Sequence, residues 1–121
     1  MKISKIESVV VEFETFDIRG HKNIETNLCE FEFSFKNYGI IDFLIGFDSE
    51  KNIEEEMKRM IDSDYLLDMI KGCCHRNIEL AMKVNNSCEN FPFEELPIDD
   101  IAEDSQKTLA EIDTYCKKLE Y

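Results

Sequence analysis

The segment Leu28-Cys29-Glu30-Phe31-Glu32-Phe33-Ser34-Phe35 constrains the fold of this chain more than any other. Successive side chains of a strand point to opposite faces, so Cys29, Phe31, Phe33 and Phe35 share one side and Leu28, Glu30, Glu32 and Ser34 the other. This is the pattern of a half-buried strand. Two further segments carry the same period. Val9, Val11 and Phe13 alternate with Val10, Glu12 and Glu14, and Ile41, Phe43, Ile45 and Phe47 alternate with Ile40, Asp42 and Leu44. Lys36-Asn37-Tyr38-Gly39 supplies turn residues between the second and third strands, which predicts a hairpin. The link between the first two strands, Arg19-Gly20-His21-Lys22-Asn23, also reads as a turn. Phe16 and Ile18 fall out of phase with Val9 to Phe13 and mark a bulge or the strand's end. The economical topology is a three-stranded antiparallel meander over residues 1–48.

From about residue 49 the period becomes helical. Ile53, Met57, Met60 and Ile61 form one stripe, with Asp48, Ser49 or Asn52 as its cap and Glu54, Glu55 and Glu56 in the opening turns, where the helix dipole favours acids. Asp62-Ser63-Asp64 offers a break. A second helix carries Leu66, Leu67, Ile70, Cys73, Cys74, Ile78, Ala81 and Val84 and ends near Asn85-Asn86-Ser87. Pro92 and Pro97 bracket a connection near residues 89–98 that cannot be helical throughout. A third helix starts near Asp99 or Asp100, with Ile101, Leu109, Ile112, Cys116 and Leu119 on one side. The fold class is therefore α+β: an N-terminal three-stranded meander with one face covered by about three C-terminal helices. At 121 residues this is one domain, 1–121, with a sheet over 1–48 and a helical layer over 49–121. The expected inward layer is Val9, Val11, Phe13, Cys29, Phe31, Phe33, Phe35, Ile41, Phe43, Ile45 and Phe47.

Charge sets the function classes. The chain has 27 acidic and 14 basic residues, a net charge of −13, which disfavours direct binding to nucleic acid or to an anionic membrane. Its 43% apolar content and nine phenylalanines still provide a core. The N-terminus lacks the apolar core of a signal peptide, and the longest apolar run, Phe43 to Phe47, is far short of the roughly 20 residues that span a bilayer. An odd number of cysteines (Cys29, Cys73, Cys74, Cys88 and Cys116) fits free thiols in a reducing compartment, so the expected location is the cytoplasm.

Cys73-Cys74-His75 is the one cluster of metal-ligating types. Adjacent helical residues point about 100° apart and cannot easily converge on one ion, so neither a metal nor a cofactor is expected. Cys73, Cys74 and Cys29 also lack the helix N-terminus that stabilises a thiolate, and Cys88 stands beside Glu89. The four glycines are scattered, so no phosphate loop exists. No catalytic residue is assigned.

The acids are more informative. On the strand phases above, Glu12, Glu14, Glu30, Glu32 and Asp42 share the outer sheet face with Lys36 as the lone base at its margin, a like-charged arrangement with a cost. Val10, Leu28, Ile40 and Leu44 lie among them. From Glu89 to Asp113 there are nine acids, Glu94, Glu95, Asp99, Asp100, Glu103 and Asp104 among them, with Lys107 the only base. Helix capping does not require so many. The leading expectation is a non-catalytic acidic interaction module that docks on a basic protein. In its sharpest form it is an inhibitor that mimics nucleic acid and occludes a nucleic-acid-binding enzyme, in the manner of phage or mobile-element anti-defence proteins or of immunity proteins. Two alternatives stand beside it: a small thiol-containing enzyme or ligand-binding domain, with Cys73, Cys74, His75 or His21 at a pocket, and a homo-oligomer built through an exposed strand.

Overall fold

The computed structural model describes residues 6–37, 41–86 and 98–119. The elements are β1 (Ile6–Glu12), β2 (Phe16–Asn23), β3 (Leu28–Phe35), β4 (Ile41–Asp48), α1 (Ile53–Asp62), α2 (Tyr65–Asn86) and α3 (Ile98–Leu119). The α+β class holds, with an antiparallel sheet first and three helices after, but the sheet has four strands in the order β1-β2-β3-β4 rather than three. The missed strand is β2. Its inward positions are Phe16, Ile18, Gly20 and Lys22, and the last two break the apolar alternation that marks a strand in sequence.

Both exceptions have a physical reason. A Cβ on Gly20 would stand 3.0 Å from Phe31 Cε1 and 3.2 Å from Ile53 Cδ1, so the glycine makes room where β3 and α1 close over the strand. Lys22 buries its stem and donates from Nζ to the Lys51 carbonyl at 2.6 Å, which gives the ammonium a partner at the sheet's end. The true turn between β2 and β3 is Ile24–Asn27. There the Asn23 side chain accepts from the Glu25 and Thr26 amides, and Asn27 takes a left-handed φ of 63° that asparagine tolerates.

The core face of the sheet carries Phe16, Ile18, Cys29, Phe31, Phe33 and Phe35, all buried, with Val9 and Val11 half-buried. Helix α1 packs on β1 and β2 through Ile53, Met57, Met60 and Ile61, the expected stripe. Asn52 is its cap, accepting from the Glu55 amide at 2.8 Å. One of the opening acids does not face solvent: Glu56 is 2% exposed and held by Arg59 through Nη2–Oε2 at 2.7 Å and Nε–Oε1 at 3.3 Å.

The strand β4 departs from its expected phase. Cys29 pairs with Phe47 and Phe31 with Ile45, but the register then shifts, so that Glu32 pairs with Phe43, Phe33 with Asp42 and Ser34 with Ile41. Leu44 is the extra residue of a bulge, and everything before it in β4 changes face. Phe43 and Ile41, expected inside, lie on the outer face. Asp42, expected outside, lies on the face of Phe33.

The chain divides into two compact units, Met1–Met69 and Ile70–Tyr121. The first contains the sheet, α1 and the opening of α2. In the second, the Asn77 amide donates to Ser105 Oγ at 3.2 Å and Lys71 Nζ lies 3.9 Å from Asp113 Oδ1, which sets α2 and α3 antiparallel. The buried positions of α3 are Asp104, Ser105, Thr108 and Ile112. Its expected stripe is therefore rotated: Ile112 is buried, whereas Ile101, Leu109 and Cys116 are half-buried. The expected turn at Tyr38-Gly39 and the proline-bracketed connection lie outside the described residues. Among the described residues, no helix is long and apolar enough to cross a membrane.

Candidate functional site

The outer sheet face is organised in rows that run across all four strands. One row reads Ser8, His21, Glu30, Gly46; the next reads Val10, Arg19, Glu32, Phe43; a third reads Glu12, Asp17, Ser34, Ile41. Directly opposed residues project on the same side, so each row is a line of neighbours. Of the five acids expected here, Glu12, Glu30 and Glu32 are present. Glu14 sits in the β1–β2 turn and Asp42 on the opposite face, while Asp17 and Asp48 take their place.

Strand β2 also inserts Arg19 and His21 between the acids, so the face is not the nearly pure carboxylate array expected. Lys36 Nζ approaches Asp17 Oδ1 at 3.6 Å. Glu32 is opposite Arg19 but places Oε1 3.2 Å from His21 Nε2. His21 Nδ1 in turn lies 3.0 Å from Ser8 Oγ. A carboxylate only accepts, so His21 Nε2–H donates to Glu32, and Nδ1 shares the second hydrogen bond with the Ser8 hydroxyl in a direction set by the ring's protonation. The buried Arg19 Nε and Asp17 Oδ1 have no hydrogen-bond partner.

Apolar side chains frame these polar groups. Ile6, Val10, Leu28, Ile41 and Phe43 all project from the outer face and are 58, 50, 37, 49 and 60% exposed. Most of this was not legible in the sequence, because Arg19, His21 and Ser8 come together only through β2, and Ile41 and Phe43 only through the bulge. The alternation of Phe16 with Ile18 was the available signal for β2.

The C-terminal acids separate. Asp99 and Asp100 are exposed in the first turn of α3, and Glu103 is exposed beside Lys107 at 3.4 Å. Asp104 is only 6% exposed, so its carboxylate is part of the packed unit and is not presented to a partner. Glu94 and Glu95 lie outside the described residues.

Nor do the described thiols assemble a site. Cys74 is buried, Cys73 half-buried and His75 exposed on the same helix, so the three point apart. Cys73 Sγ accepts from Arg76 Nη2 at 3.0 Å. Burial raises the Cys29 thiol above its ordinary value, with Lys22 opposing that shift in part. Cys88 lies outside the described residues. Among the described residues, no group of three His, Cys, Asp or Glu is placed to hold a metal ion.

No protein family, no curated protein and no solved structure matches this chain.

Proposed function

We propose that the chain is an acidic protein-interaction module that docks through the outer face of its sheet on a basic, partly apolar protein surface. A groove that normally binds nucleic acid has that chemistry, so the chain acts there as an inhibitor and nucleic-acid mimic. The observation that carries this reading is the β4 bulge. Unbroken alternation would place Phe43 and Ile41 among the core phenylalanines, where burying each stabilises a fold by about 1.5–3 kcal/mol. The bulge turns both outward instead. Phe43 is an exposed aromatic anchor, and it shares its row with Glu32 and Arg19, charged groups that fix the orientation of a partner.

Net charge supplies the sign of the partner. Exposed Glu12, Glu30 and Asp48 lie among the apolar positions, and the whole chain carries −13. Lys and Arg on the partner meet the acids, and an apolar recess takes Phe43. The free thiols at Cys29, Cys73, Cys74 and Cys116 support a reducing compartment, the cytoplasm, as the place where this happens.

The test is capture of partners from a lysate of the producing cell by the wild-type chain and by a Phe43→Ser, Glu30→Lys double variant. A basic protein retained at low salt, released at high salt and displaced by added nucleic acid is the expected outcome, with at least a tenfold loss for the variant. Equal retention by both chains overturns the reading.

A further inference from the structure

We propose that β1 is a self-recognition edge, along which two copies of this chain pair antiparallel about a two-fold axis at Val9 and join their sheets into one. β1 ends the strand order β1-β2-β3-β4, so among the described residues no strand lies along its other side. Which groups face that open side follows from the hairpin. The Phe13 amide donates to the Phe16 carbonyl at 2.9 Å, and the register from there to Ile6 runs without a shift. Hydrogen-bonded and non-hydrogen-bonded pairs alternate along an antiparallel ladder. Val11, Val9 and Glu7 therefore bond to β2, while Glu12, Val10, Ser8 and Ile6 turn their N–H and C=O groups outward. All four are exposed. The strand carries no proline, lysine or bulge, the devices that commonly blunt an edge. The opposite edge, β4, is interrupted by its bulge at Leu44.

A second copy satisfies those groups best in one register. Pairing centred on Val9 matches Ile6 with Glu12 of the second copy and Ser8 with its Val10, each twice by symmetry, so every outward residue meets another. A slip of one residue sets outward groups against inward ones, and a slip of two loses a bonded pair at the strand's end. Charge favours the same register: Glu7 comes opposite Val11 and Glu12 opposite Ile6, so no acid faces an acid. Ile6 and Val10, 58 and 50% exposed, lose solvent contact in the pair. On the α1 side of the strand Glu7 already stands opposite Lys22 of β2. A cleft of about 370 Å³, lined by Glu7 and Ser8 and by Asn52, Ile53 and Glu54 at the start of α1, leaves room there for Val11 of the second copy. The net charge of −13 on each copy opposes the approach, and salt screens that repulsion. Self-pairing is thus strengthened by the salt that releases a basic partner. The inference does not rest on the docking reading, since Phe43 lies on β4, at the other edge.

Sedimentation velocity of the full chain, over about a 100-fold range of concentration at low and high salt, is the test, together with two kinds of variant. A shift from one chain to two with rising concentration is expected, with tighter association at high salt. Val10→Pro removes an outward N–H and leaves the bonds to β2 in place, so it should weaken association at least about tenfold. Val9→Cys reads the register. Residues that face each other in a non-hydrogen-bonded pair have Cα atoms about 4.5 Å apart, within disulfide range, so glutathione disulfide should link the two thiols introduced at position 9. Those introduced by Val11→Cys stand roughly 13 Å apart along the strand and should not link. Peptide mapping separates these links from any made by the native cysteines. A mass of one chain at every concentration and salt overturns the proposal, as does a dimer that a folded Val10→Pro leaves unchanged. If Val10→Pro does not fold, cross-linking decides: faster linkage at position 9 than at position 11 supports the proposal, and equal or slower linkage overturns it.

Discussion

Phe43 stands opposite Glu32 across β3 and β4, one residue out of step with the pairing of Phe31 and Ile45 next to it. That single step decides which side of the sheet receives an aromatic ring. It also yields the most direct check of the fold. Phe31→Ala empties a fully buried position and should cost about 3–5 kcal/mol, whereas Phe43→Ala should change stability by no more than about 0.5 kcal/mol. Urea unfolding of the two variants measures the difference. Similar losses would mean that Phe43 is packed inside and that β4 pairs without the bulge.

Gly20→Ala tests the close approach over β2. The added methyl would sit 3.0 Å from Phe31 Cε1 and 3.2 Å from the two outer carbons of Ile53, so ring and helix must shift. A loss of about 1–3 kcal/mol is expected. Were this segment a solvent-facing turn, alanine there would be neutral in a thermal melt.

Glu56 gives the chain an acid-sensitive element. The hydrogen bonds from Arg59 hold its carboxyl below the ordinary value, against burial, which opposes the shift. A depressed folded-state pKa contributes stability that is complete above the unfolded value of about 4.5 and is lost as pH falls through the folded value. Glu56→Gln should remove about 1–3 kcal/mol near neutral pH and flatten the acid limb of a stability-versus-pH curve. An unchanged acid limb would show that the Arg59 contact does not hold Glu56 ionised.

The described cysteines should label unequally. Cys29 is fully buried and its thiol is raised by desolvation, so at pH 8 it should react with an aromatic disulfide reagent only on the timescale of chain opening. Cys73, half-buried beside Arg76, should react well before Cys29. Site-resolved mass spectrometry of a labelling time course reads the order directly, and rapid modification of Cys29 in the native chain would contradict the buried position.

Much of the fold was legible because its elements follow strong periods. The alternation of β3 from Cys29 to Phe35 and the stripe Ile53, Met57, Met60 and Ile61 of α1 both appear as the sequence implies. Strand β2 was hidden because a glycine and a lysine occupy inward positions, and a pattern of apolar residues cannot show that one leaves space and the other reaches a carbonyl. On α3, Ser105 is buried against Asn77 of α2 and Thr108 is buried one turn further on, so hydroxyls occupy positions that hydropathy assigns to Leu109 and Cys116. The candidate site was hidden for the same reason as β2. Ser8, His21 and Glu32 are distant in sequence and meet only through strand register.

The sequence by itself determined the class of the protein: a sheet first, helices after, a phenylalanine core, free thiols and a net charge of −13. Those follow from local period and composition, which need no knowledge of what lies across a strand. Only the tertiary structure decided how that charge is displayed. Pairing between β2 and β3 put Arg19 and His21 among the acids, and packing removed Asp104 from the surface. A one-residue bulge then exchanged Phe43 for Asp42 on the outer face. Side chains on a strand alternate with period two, so one inserted residue inverts everything on its far side, and register arises from long-range pairing that no local pattern encodes.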